Sequence, residues 1–270
     1  QNAYSLHKPL HKKFPTRSYR TSGLNQLWQM DLMEMIPYAR INKGFKYILT
    51  CIDVFSRFAR AQPLKTKSRP EVKDAIAKMF DGQTIPRYIQ TDLGKEFCNS
   101  HVQKLFKKHG IKHYSVNSQF KAAVVERFNR TLREKLTRYF TYKGNKTWYI
   151  VLPSIIDTYN RSKHRGIFHI RPIDVTEKNE QDLWELQEDQ MIKNGNKKSL
   201  PLQNFVRISK LVNSPFKKNF EENWSDEVFR IIKIDKSAMP TMYVLEDLNK
   251  NVIVGKFYKE ELQDISKNPP

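Results

Sequence analysis

Three carboxylates stand out by residue type and by the text around them: Asp31 inside the run LWQMDLMEMI, Asp92 at the end of RYIQTD, and Glu126 in KAAVVERFNRTLREKLTRYF. Carboxylates are the ligands that hard Mg²⁺ prefers. Phosphoryl transfer without a covalent enzyme intermediate uses divalent ions about 3.5 to 4 Å apart, which activate the attacking oxygen and steady the leaving one. Acids on strand ends and an adjacent helix can converge to hold such ions. Taken singly, any one of the 28 Asp and Glu residues is better read as a solvated or capping side chain. Asp31 is harder to set aside, because an Asp within an apolar strand pattern is costly to bury without a cation. Asp53, in CIDVFSR, meets the same argument and competes with it.

The elements that must position these acids follow from periodicity. LWQMDLMEMI, FKYILTCIDVF and RFARAQPL are strand-like runs separated by Asn42-Lys43-Gly44 and Ser56-Arg57, which predicts an antiparallel meander. SRPEVKDAIAKMF reads as a helix, with Ser68 as its cap, Pro70 in its first turn, and Val72, Ala75, Ile76, Met79 and Phe80 at helical spacing. RYIQTD is a short strand, NSHVQKLFKKHG a helix capped by Asn99 and stopped at Gly110, and IKHYSV another strand. That alternation predicts crossovers and parallel pairing. In the next helix Val124, Phe128, Leu132, Leu136 and Phe140 form one ridge, while Glu126, Asn129, Arg130 and Arg133 share the polar face. TWYIVLPSIIDTYNR reads as a helix that Pro153 kinks or breaks. The expected fold class is α/β, with a mixed five-stranded sheet flanked by helices over residues 24 to 176. A polar helical or flexible linker then spans 177 to 203, and a small β-barrel built from NFVRIS, DEVFRIIKI, TMYVLED and NVIVGKFY spans 204 to 264. A basic extended arm (1 to 23) and a tail (265 to 270) flank these modules. The start at Gln1 rather than Met suggests a processed product or an excised fragment.

The formal net charge of +20 is unevenly shared: +5 over residues 1 to 27, +15 over 28 to 180, and none over 181 to 270. The first two-thirds therefore carries the electrostatic footprint of a phosphate-backbone binder. Cys51 and Cys98 stand 47 positions apart, so neither a disulfide framework nor a Cys-based zinc site is indicated, and a reducing compartment fits best. No run approaches the roughly 18 apolar residues of a membrane span, and the first residues lack a secretory apolar core, so a soluble, intracellular protein is expected.

The ordered runs LWQMDL, YILTCIDVFSRF, TDLGKEF, KAAVVERFNRTL and YNRSKHR followed by RP resemble the catalytic core of retroviral and retrotransposon-type integrases, and most of all those of Polinton (Maverick) DNA transposons. The resemblance covers about residues 24 to 176 and implies a ribonuclease-H-like core. It places the family's three acids, in W-x-x-D, D-x-G-x-E-F and V-E-R-x-N-R-x-L, at Asp31, Asp92 and Glu126, and it makes Asp53 a strand residue rather than a ligand. The 33 residues between Asp92 and Glu126 resemble the family's short, nearly fixed interval. VRIS, WSDEVFRI, YVLED and VGKFYKEEL resemble the barrel that follows such cores. One departure is the family's His-His-Cys-Cys zinc module: His7 and His11 have a ligand-like interval, but no Cys pair is in reach.

The resemblance implies that Asp31 with Asp92 holds one Mg²⁺ and Asp31 with Glu126 a second, Mn²⁺ serving as substitute. Water would first trim a DNA 3′ end, and the freed hydroxyl would then attack target DNA. The implied partners are double-stranded DNA, both element ends and target, and further copies of the chain assembled on it. No membrane is implied; chromatin is a candidate contact of the barrel, and the nucleus the expected location. In the loop NSQFK, Lys121 is the candidate phosphate contact, with Arg127, Arg130 and Arg133 behind it; the bland reading is that these bases solvate a helix face and pair with Glu134. Asn160 and His164 suit packing or a helix end at least as well as DNA, and Trp28, Trp148 and Trp224 read as core. Two rival functions remain: a nuclease of the same fold that cleaves without joining, and a domesticated, non-catalytic DNA-binding or chromatin-tethering protein.

Overall fold

After a single helical turn, α1 (Asn2–Leu6), the chain enters β1 (Leu27–Glu34), whose side chains alternate between two cores. Trp28 and Met30 pack on one face of the sheet, and Met33 on the other. β2 (Tyr47–Asp53) and β3 (Ala59–Leu64) follow antiparallel, then β4 (Tyr88–Thr91) and β5 (Lys112–Ser115) parallel, giving the order β3-β2-β1-β4-β5. This is the mixed five-stranded sheet that the periodicity predicts. β1 and β2 are buried along most of their length because both of their faces are covered. The computed structural model describes residues 2–10, 14, 21–80, 84–115, 122–195, 199–210, 221–237 and 240–265.

Helices α2 (Arg69–Met79) and α3 (Ser100–Lys108) close the first core with Val72, Ile76, Val102 and Phe106. α4 (Ala123–Lys143) and α5 (Leu152–Arg161) close the second with Phe128, Leu132, Leu136 and Ile156. Asn99 caps α3 as expected, its side-chain oxygen accepting from His101 N and Val102 N. Ser68 does not cap α2 through its side chain. Instead Glu71, in the first turn, accepts from the Lys65 and Thr66 amides and the Thr66 hydroxyl. Pro153 opens α5 rather than interrupting it, since a first-turn proline lacks only an N–H that the helix would leave unpaired.

One side-chain relay ties β4 to β5 and α3. Gln103 Nε2 donates to His113 Nδ1 at 2.8 Å, which leaves the imidazole proton on Nε2, 3.0 Å from Thr91 Oγ1. The Thr91 hydroxyl then donates to the Asp92 carbonyl at 2.7 Å. Burial holds His113 below the usual histidine value, which favours its neutral form in the folded protein.

The chain divides into two compact units, Tyr19–Leu186 and a discontinuous one made of Gln1–Ser18 and Gln187–Pro270. α6 (Glu180–Gly195) occupies most of the expected linker. The second unit holds β6 (Phe205–Ile208), β7 (Phe229–Asp235), β8 (Met242–Glu246), β9 (Phe257–Tyr258) and β10 (Leu262–Asp264) in the antiparallel order β10-β6-β7-β8-β9. The expected barrel does not close: among the described residues β9 and β10 are edges that do not pair with each other. NVIVGKFY, read as a full strand, supplies only a bridge at Val252 and the two-residue β9. Val252 and Val254 are 60% and 93% exposed, so they lack the half-buried pleated surface that makes valine favour a strand.

The expected extended arm is corrected too, for residues 2–8 are docked on the second sheet. The Leu6 carbonyl accepts from Asn223 N and Trp224 N, the Lys8 carbonyl from Trp224 Nε1, and the Ser5 carbonyl from Gln263 Nε2. Leu6 is buried with them. His11 lies outside the described residues.

Two outcomes are expected. Leu6→Ala should lower the stability of the second unit by about 2 kcal/mol, the low end for a buried leucine. Hydrogen exchange should quicken at the amides of β6 and β10 while those of β1 and β2 keep their protection. For His113, the folded value lies below the unfolded one of about 6.5, so its contribution is full above that pH and is lost as pH falls through it toward the folded value. His164, also lowered by burial, acts with the same sign. His113→Gln should therefore flatten part of the acid loss of stability in melts between pH 7 and 5, and an unchanged profile would exclude the relay.

Candidate active site

Asp31 sits mid-way along β1, opposite Thr50 of β2, on the face that meets α4. Leu32 N donates to its Oδ1 at 2.8 Å and Asn129 Nδ2 to its Oδ2 at 2.7 Å. Burial, first, and then the negative charges of Asp92 and Glu126 push the Asp31 carboxyl above the usual aspartate range, against the lowering effect of those two hydrogen bonds. Asp31 therefore feels the charges of both other acids predicted from sequence. No ion pair joins Asp31, Asp92 or Glu126 to a basic side chain among the described residues.

Asp92 follows β4 and is exposed, its Oδ1 accepting from Gly94 N at 3.1 Å. A Cβ at Gly94 would stand 2.9 Å from that oxygen and 2.7 Å from Glu96 Cδ, so a larger residue in the middle of DLGKEF would push both carboxylates aside. Phe97, fully buried, anchors the end of the same turn. Glu126 lies exposed in the first turn of α4, where the helix dipole favours an acid.

An open cleft of about 500 Å³ is lined by Asp31, Glu34, Glu126, Asn129, Arg130 and Arg133, among others. It holds the whole polar face of α4 that helical spacing predicts, although Asn129 is buried at 7% exposure rather than solvated. Asp92 is not among the lining residues. Among the described residues no three His, Cys, Asp or Glu side chains come close enough to hold a metal ion, so the acids share one field without being gathered. Like charges held in common repel, and Asp31 and Asp92 meanwhile take up protein N–H donors. The donor set itself, all carboxylate oxygen, is of the kind Mg²⁺ takes.

Arg130 and Arg133 line the cleft; Arg127 does not, and its charge instead bears on the half-buried Arg57, whose value burial first of all lowers. Lys121 and its loop lie outside the described residues. Asp53 ends β2 and bonds the turn that follows: its Oδ2 accepts from the amide (2.9 Å) and the hydroxyl (2.5 Å) of Ser56, and it is 1% exposed. Asn160 has a packing role, its carboxamide bonding both the N–H and the carbonyl of Ala59, while His164 Nε2 meets the Tyr159 carbonyl.

Sequence reasoning passed over Gln29 and Gln90. Both are fully buried and bonded to each other at 2.8 Å, and Gln29 Oε1 also accepts from Val124 N and Val125 N. The available signal was a glutamine inside each of two apolar strands, a placement as costly without partners as that of Asp31.

A family model described as Integrase core domain matches residues 22–117, the stretch holding β1 to β5. An uncharacterized transposon-derived protein of Caenorhabditis elegans is 36% identical over 224 residues, which cover 82% of this chain and 73% of that protein. The Gag-Pol polyprotein of feline leukemia virus is 32% identical over 133 residues, 48% of this chain but 8% of the polyprotein. Among solved structures, a chain of the simian T-cell lymphotropic virus intasome, in complex with PP2A regulatory subunit B56 gamma, matches with 16% identity and a TM-score of 0.56. That likeness covers 97% of this chain and 86% of the other, and it speaks for the fold. The catalytic core of HTLV-2 integrase, solved with magnesium, covers 51% of this chain and 86% of its own at 22% identity and a TM-score of 0.43. With the worm relative matched across both units and the integrase core model spanning its sheet, the chain belongs to the family of transposon-derived and retroviral integrases.

Proposed function

We propose that this protein trims DNA 3′ ends and joins them to target DNA by metal-dependent phosphodiester transesterification. The observation that carries the reading is Asp31: a carboxylate half sunk in a sheet, raised first by burial and further by the charges of Asp92 and Glu126, at a cleft whose wall carries two arginines. Asp31 and Asp92 would hold one divalent cation, and Asp31 and Glu126 a second. Mg²⁺ or Mn²⁺ there would activate the attacking oxygen and offset charge on the leaving one. A cation would also relieve the mutual repulsion of the acids.

The chain's own contribution is positional. Leu32 N and Asn129 fix the plane of the Asp31 carboxylate, and the Gly94 turn fixes that of Asp92. Arg130 and Arg133 bind backbone phosphate beside the acids, with Lys121 and Arg127 as further contacts. On DNA the chain assembles with copies of itself. Within the family, WQMD, TDLGKEF and VVERFNRTL support placement with the Polinton integrases.

A gel assay with a short DNA duplex and Mg²⁺ or Mn²⁺ tests the reading. Shortened and lengthened products are both expected, and shortened products alone would make the protein a nuclease. Asp31→Asn, Asp92→Asn and Glu126→Gln should each lower both activities by roughly 1,000-fold or more, as for groups that act as a unit. Asp53→Asn should lose stability instead. Full activity of Glu126→Gln in Mg²⁺ would end the three-acid reading. For DNA binding, Arg130→Ala and Arg133→Ala should each flatten the plot of log affinity against log salt by about 1. An unchanged slope would remove that arginine from the interface.

A further inference from the structure

We propose that Gln29 is a positioning residue for the acid site: its carboxamide, oriented by Gln90, holds the first turn of α4, and with it Glu126, against β1. The inference rests on the proposed role of the three acids.

A helix start leaves four backbone N–H groups without intrahelical partners. At α4 the N-cap residue is Ala122, whose side chain can accept nothing. The acceptor comes from another element, Gln29 Oε1, at 3.0 Å from Val124 N and 3.1 Å from Val125 N. A carboxamide can present either end, so something must decide which one faces the helix. Gln90, directly opposite in the β1–β4 pairing, decides it, because its Oε1 accepts from Gln29 Nε2 at 2.8 Å. Both side chains are sealed from water, so neither can exchange its partner for solvent at low cost.

The network also touches each acid's own segment. Asp31 lies two residues beyond Gln29 on the same face of β1, Asp92 two residues beyond Gln90, and Glu126 next to Val125. One pair of carboxamides therefore sets the relation between the three stretches of backbone that carry the acids. Polar side chains behind metal ligands affect metal affinity by about 10 to 100-fold in other proteins.

The test is a double-mutant cycle on Mn²⁺ binding to the full chain, read by calorimetry, with apo melting temperatures recorded alongside. Gln29→Met, which keeps the length and removes both hydrogen-bonding functions, should weaken Mn²⁺ binding by roughly 10-fold. In a Glu126→Gln background the same substitution should have no further effect, because the group it positions has gone. Gln90→Met, which leaves the acceptor but frees its orientation, should act in the same direction more weakly, and it carries the test if Gln29→Met does not fold. Unchanged affinity, an equal loss in both backgrounds, or failure of both single variants to fold would overturn the proposal. If the parent binds Mn²⁺ but leaves DNA intact, the proposed function fails and the positioning role stands. If the parent processes DNA and the cycle is additive, the positioning role fails alone. A parent that binds no Mn²⁺ overturns both.

Discussion

A carboxamide shut away from water must find its partners inside the protein, and Gln29 finds them on two other elements at once. β1 gives the apolar residues Trp28 and Met30 to one core, and on its other face carries Gln29 and Asp31, polar groups that the adjacent helix must accommodate. α4 answers with its bare N-terminal amides and with Asn129, so the helix is held both at its start and one and a half turns in. The ridge of Phe128, Leu132 and Leu136 then supplies the apolar burial that keeps the contact closed. Local polar satisfaction and core packing are in this way fitted to the same helix axis.

The acids sit in tension with that scaffold. Asp31 is raised chiefly by burial, so the fold favours its protonated form, and once pH rises past both its unfolded and its folded value the ionised carboxylate detracts from stability. Proteins keep such groups where function needs them and the rest of the structure tolerates the loss. The basic excess of the chain lies in the same two-thirds as the acids, yet none of it neutralises Asp31 among the described residues. Arg130 and Arg133 line the same cleft, and among the described residues no ion pair joins them to its carboxylates.

Much of the first unit was legible because its signals are periodic. The alternation in β1, the four-residue ridge of α4 and the Asn99 cap are local patterns with one physical reading each. Asp31 and Asp53 carried the same strand-burial signal, which the resemblance alone told apart; in the structure one carboxylate oxygen of Asp53 is bonded locally by Ser56, whereas Asp31 draws on Asn129, 98 residues away. The Gln29–Gln90 pair was illegible for the same reason, since its members are 61 residues apart and glutamine has no period to betray it. Pro153 misled by position, because a proline looks alike at the first turn of a helix and inside one. The second sheet was half legible: its long strands declare themselves by β-branched content, but Val252 and Val254 have that content without a surface to pack on.

The docking of residues 2–8 on the second sheet has a consequence for synthesis. Lys8 and Trp224 are 216 residues apart, so the segment around Leu6 cannot reach its partners until those 216 residues have been made. At about 5 to 20 residues per second that delay is roughly 10 to 40 s. The compact unit Tyr19–Leu186 lies within that interval and is made before then. Leu6 stays without its burial site throughout, and the nascent chain offers a short apolar turn for chaperones to hold while the sheet that will receive it is still being made.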